Sequence, residues 1–171
     1  MADPDYSIEF SKTSDQAKVS ETSRQVIRRI MAAASVFSVT VTSTARDAYA
    51  QARAMYENIE SEGVDAQKEL YAQAGQDVID VYVTSKAAKK DKNAIINDMK
   101  DRIVAIGLGK VSRHCADSAT LEVIDIAPSS IAAEKRKDWE TALAAEGGVS
   151  QYFVPPKDPA YHLEIPQATK K

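Results

Sequence analysis

A change of hydrophobic period partway along the chain constrains its fold more than any other feature. As far as residue 106, apolar residues recur mostly at helical spacing. From residue 121 they fall into short β-branched runs closed by proline or glycine. Helices gathered early and strands gathered late predict an α+β fold, with helices packed on a small antiparallel sheet. With 171 residues, a single domain over 1–171 is expected.

The pattern assigns elements in order. Tyr6 to Phe10 reads as an edge strand, and Ser14 or Ser20 as the cap of a helix with a Val19, Val26, Ile27, Ile30 and Met31 stripe. Phe37, Val39 and Val41 alternate with polar residues, the mark of a half-buried strand. A helix is expected from Ala45 to about Glu60, broken at Gly63, then another from Leu70 to near Lys86. A third carries Ile95 to Ile106 and stops at Gly107. Leu121 to Ile126 is a strand closed by Pro128. Ser129 or Ser130 is placed to cap a helix through Trp139 and Leu143. Val149 to Val154 and Tyr161 to Ile165 complete the strands.

Composition excludes several classes. A net charge of −3 gives no general attraction to nucleic acid, and Asp91 and Asp98 interrupt the one lysine cluster, Lys89, Lys90 and Lys92. No stretch approaches the roughly 20 apolar residues that span a bilayer, so membrane insertion is not expected. Met1 to Phe10 carry acids where a secretion signal carries lysines and an apolar core. Synthesis in the cytoplasm without a signal peptide is therefore expected, with any action on a cell wall following release or delivery. The single cysteine, Cys115, cannot form an internal disulfide and reads as a small buried thiol rather than a nucleophile.

Chemistry concentrates in the strand-rich part. The chain has two histidines, His114 and His162, and Asp125 interrupts an otherwise apolar strand. A carboxylate there is costly unless paired or bound to a cation. Two imidazoles and a carboxylate suffice for a catalytic zinc with one open position. Spacing alone leaves a second reading, two unrelated histidines with Asp125 paired locally. Strand alternation places Tyr161, Leu163 and Ile165 on a core face, and His162 and Glu164 on the other, as the wall of a cleft.

The blocks Ser112-Arg113-His114, Val123-Ile124-Asp125-Ile126 and Tyr161-His162-Leu163-Glu164 resemble the D-alanyl-D-alanine metallopeptidases and related phage endolysins. Val39 to Arg46 followed by Gln51-Ala52 is similar to their strand–Ser-x-x-Arg–helix segment. The resemblance implies a zinc site on the sheet with His114, Asp125 and His162 as metal ligands. It implies that Arg46 contacts the substrate's carbonyl or carboxylate, and that Ser112 orients a ligand or binds peptide. The ten residues between His114 and Asp125 exceed the family's usual spacing, so Asp117 to Thr120 are expected to form an inserted loop. Pro159 stands where the family carries its general base. That leaves Asp158, favoured, and Glu164 as the candidates. The implied function is zinc-dependent hydrolysis of peptidoglycan stem peptides. The alternative is a non-catalytic binding or structural module on the same fold.

Overall fold

The computed structural model describes residues 5–44, 46–112 and 119–168. The chain divides into two compact units, one of residues 1–45 and 117–171, the other of residues 46–116.

The first unit is a two-layer α+β structure. Its strands are β1 (Ser7–Phe10), β2 (Ser38–Ser43), β3 (Leu121–Ile126), β4 (Gln151–Phe153) and β5 (Tyr161–Pro166), in the spatial order β1-β2-β3-β5-β4. The sheet is mixed rather than wholly antiparallel: β1 runs parallel to β2, and every other neighbouring pair is antiparallel. The physical reason is the helix α1 (Glu21–Ala34) between β1 and β2, which carries the chain back to start β2 in the same direction. A shift of register between Val41 and Ser43 interrupts the β2–β3 ladder.

Ser20 caps α1, accepting the Ser23 N–H at 3.2 Å, as one of the two expected caps. The Ser20 N–H in turn donates to both carboxylate oxygens of buried Glu122 at 3.2 Å, tying the start of α1 to β3. The apolar stripe of α1 (Val26, Ile27, Ile30, Met31) packs with Val39 and Val41, Ile124 and Ile126, and Tyr161, Leu163 and Ile165 in one core. Trp139 and Leu143 of α7 (Arg136–Ala145) complete it. At about 25 cal/mol per Å2 of apolar surface removed from water, such burial is the main stabilising term. Phe37 lies outside this core at 56% exposure and stacks on Tyr6.

Neither Ser129 nor Ser130 caps α7. The helix runs on from a 3-10 turn, Ala133–Lys135, and its first residue follows Lys135 without any side-chain cap. Ser130 instead accepts the Thr40 N–H at 3.0 Å and donates to the Ala127 carbonyl at 2.7 Å, extending the β2–β3 junction.

The second unit is helical: α2 (Ala48–Glu62), α3 (Val64–Leu70), α4 (Gln73–Ala87), α5 (Lys92–Ile106) and the single turn α6 (Leu108–Val111). Asp47 rather than Ala45 begins α2, accepting the Ala50 N–H at 2.7 Å. Gly63 and Gly107, at φ 93° and 107°, end α2 and α5 in a backbone region that side-chain-bearing residues avoid. The helix expected from Leu70 to near Lys86 is α4, which starts at Gln73, while Leu70 ends α3 at 73% exposure rather than joining a core. Met55, Ile59, Ile79, Ile95, Met99 and Ile103 form this unit's own core. The lysine cluster is a solvated helix end: Asp91 caps α5, and Lys90 pairs with Asp98 at 2.7 Å. Among the described residues no helix is long and apolar enough to cross a membrane.

Candidate metal centre on the second sheet face

The core claims one face of the sheet. Alternation then sends Val123 and Asp125 of β3, and His162 and Glu164 of β5, to the other face. The register makes Asp125 and His162 direct partners across the β3–β5 ladder, with Phe153 paired to His162 on the far side. One row across the sheet therefore reads Ser43, Asp125, His162, Phe153.

The side chains use that placement. His162 Nδ1 lies 3.0 Å from Asp125 Oδ1, and His162 Nε2 lies 3.2 Å from Glu164 Oε1. The Phe153 ring packs 5.4 Å from the imidazole, centroid to centroid. His162 and Glu164 are 4% and 6% exposed, so this part of the face is closed to solvent rather than forming an open cleft wall. The cost of Asp125 in an apolar strand is met by the imidazole beside it.

Burial is the largest single influence on the His162 imidazole and disfavours its charged form. The hydrogen bond and charge of Asp125, the bond to Glu164 and the charge of Asp158 outweigh it, and the pKa is raised above the ordinary value. Asp158 thus lies within electrostatic reach of the ring. It sits in the turn between β4 and β5, with its N–H donating to the Val154 carbonyl at 3.3 Å and its Oδ1 accepting the Ala160 N–H at 2.9 Å. Pro155–Pro156 in the same turn is a cis peptide.

The other expected residues are placed as follows. His114 lies outside the described residues, as do Cys115 and the first part of the loop expected from Asp117. Arg46, half-buried, donates from Nη1 to Gln51 Oε1 at 3.4 Å at the start of α2. Ser112 follows α6, with its N–H directed at the Leu108 carbonyl. On β4, Phe153 meets His162 and Tyr152 is exposed. Tyr161 belongs to the core, where burial first and then its bond to Glu140 raise its pKa to about 12.

Among the described residues, no group of three or more His, Cys, Asp or Glu side chains is arranged to hold a metal ion. Asp125 and His162 are hydrogen-bonded side by side in one row. Tetrahedral ligands at about 2.0–2.1 Å from zinc are ~3.3 Å apart, close to the 3.0 Å between Asp125 Oδ1 and His162 Nδ1. Glu164 occupies the second ring nitrogen of the same imidazole. The sequence points to these residues singly; their alignment in one row depends on register, which the residue pattern does not show. Comparison with protein-family models, curated proteins and solved structures found no match.

Proposed function

We propose that this chain is a zinc-dependent peptidase acting on the stem peptides of bacterial peptidoglycan, as a phage-type lysis enzyme or a delivered effector. The observation that carries the reading is the part-buried Asp125–His162 pair, 3.0 Å apart, with Glu164 on the other ring nitrogen. In this reading Asp125, His162 and His114 hold the zinc, which supplies Lewis acidity and makes a water nucleophilic near neutral pH.

The chain's own residues do the rest. Asp158, on the turn that leads into β5, takes the proton of the attacking water and returns it to the leaving amine. Arg46 offers a guanidinium to the oxygen that gains negative charge, or to the peptide's carboxylate. Ser112 orients a ligand or the peptide. The Phe153 ring excludes water from one side of His162.

One observation favours a second reading. Both ring nitrogens of His162 already face carboxylates, so the row also makes sense as an ionic brace within the sheet of a binding module.

One experiment separates the two. Purified protein and its His162→Ala and Asp125→Asn variants are assayed for zinc and incubated with peptidoglycan. About one zinc per chain, with stem-peptide fragments released, and both lost in the variants, supports the peptidase. Zinc without cleavage supports the module, and no zinc in the parent protein overturns the zinc reading.

A further inference from the structure

We infer that the helical unit, residues 46–116, is a self-contained insertion between β2 and β3, which unfolds and refolds as its own cooperative unit while the sheet unit stays folded. This holds whether or not the chain binds zinc.

The chain leaves the sheet unit once, after residue 45, and returns once, at residue 117. On either side of that excursion β2 and β3 are antiparallel neighbours, with Val41 paired to Ile126 and Ser43 to Asp125. Antiparallel neighbours can be joined by a turn of a few residues, so their pairing does not require the helices between them. The entropy of closing a loop rises only with the logarithm of its length. The sheet can therefore hold the two ends of residues 46–116 together even when those residues are unfolded.

Each unit also carries what a cooperative unit needs, a core of its own. The buried apolar residues of the sheet unit come from α1, α7, β2, β3, β5 and the segments beside them, all within residues 1–45 and 117–171. Those of the helical unit run from Ala52 to Val111 and come from α2, α4, α5 and α6. The two cores share no residue. Buried polar groups of the helical unit find partners inside it as well. Gln51 Nε2 donates to the Tyr71 hydroxyl at 3.4 Å, Gln67 Nε2 to Glu62 at 2.5 Å, and the Ser85 hydroxyl to Asp98 at 2.6 Å. Its two longest-range caps, Asp47 on α2 and Asp91 on α5, are likewise its own residues. A contiguous segment with its own core and its own polar partners is the kind of region that opens sub-globally.

The full chain supplies a separate signal for each unit. Trp139 is the only tryptophan and is buried in the sheet unit's core, so its fluorescence reports that unit. Far-ultraviolet helix ellipticity weighs α2 to α6 above α1 and α7, and so reports mainly the helical unit. Urea unfolding is followed by both signals in the parent protein, Met99→Ala and Ile30→Val. Ile79→Val serves as a milder helical variant should Met99→Ala leave the helices unfolded from the start. Met99 is wholly buried in the helical core, and its truncation is expected to lower the ellipticity midpoint by about 1 M or more, with the Trp139 midpoint in place. Ile30→Val, in α1, should lower the Trp139 midpoint by about 0.5 M and leave the main ellipticity change in place. Signals that move separately in this way establish the insertion. A helical variant that shifts both signals equally, or neither, would overturn it, as would Ile30→Val shifting both.

Discussion

Asp125 and His162 are direct neighbours across the β3–β5 ladder, and their side chains meet at 3.0 Å on the face away from the core. A strand pair is a rigid support, so this separation is set by backbone hydrogen bonding rather than by a flexible loop. The proposed chemistry depends on that rigidity for two ligands and on a turn for the base.

Asp158→Asn tests the division of labour. Asparagine can keep the bond from the Ala160 N–H, so the turn should hold its shape. Zinc content is expected to stay at the parent level while kcat on stem peptides falls about 10²–10⁴-fold, the usual loss for a removed general base. Unchanged kcat with zinc retained would exclude Asp158 as the base.

Arg29 and Glu146 make a two-pronged ion pair, Nε to Oε2 at 3.1 Å and Nη2 to Oε1 at 2.8 Å, joining α1 to the end of α7. The Arg29 hydrogen bond, outweighing the opposing effect of burial and aided by the Gly148 N–H, holds the Glu146 carboxyl below its ordinary pKa. A group depressed in the folded state stabilises above its unfolded pKa, and that contribution is lost as pH falls through the folded value. Because Arg29 is well exposed, about 1 kcal/mol at pH 7 is expected from Glu146→Gln. The gap between parent and variant in urea midpoint should close as pH drops below about 4. A gap that persists at pH 3 would refute the assignment.

Ser20 serves both as the cap of α1 and as a donor to Gln167 Oε1 at 2.7 Å. Ser20→Ala is expected to cost about 1 kcal/mol, lowering Tm by roughly 2–4 °C for a chain of this size. Ser20→Asp, which can still accept from Ser23, should recover most of the loss. Equal losses in both variants would show that the cap bond is not the stabilising element.

Trp139 is wholly buried, and its Nε1–H finds no hydrogen-bond partner among the described residues. Its value is therefore in packing. Trp139→Phe removes the unsatisfied N–H together with part of the ring, two opposing effects, and is expected to cost less than about 1.5 kcal/mol. Trp139→Ala should cost about 3–5 kcal/mol. Urea unfolding of the two variants decides the point: a similar loss in both would mean the N–H has a partner.

Much of the fold was legible because local pattern and tertiary role agree. The span expected for β3 matches Leu121–Ile126, and the core face of β5 follows from alternation. The mixed sheet was not legible, because the direction of β1 against β2 depends on a crossover rather than on either strand's residues. Leu70 and Val104 fit helical stripes yet are exposed, at 73% and 58%, since periodicity marks a face without saying how far a core extends. Ser130 has a capping residue's chemistry but spends it on the Thr40 N–H, a partner 90 residues away. For the site, residue types named Asp125, His162 and Glu164, while the link from Glu164 to the ring required coordinates.

The strand that carries His162 follows every other strand of the sheet in sequence yet lies inside it, between β3 and β4. A chain made from its N-terminus can pair β1, β2 and β3 while β4 still has no neighbour to join. Translation order thus acts as a lock: Asp125 is present early, but the centre stays half-built until β5 slides into the gap. A nascent or C-terminally clipped chain would carry Asp125 without the imidazole that faces it.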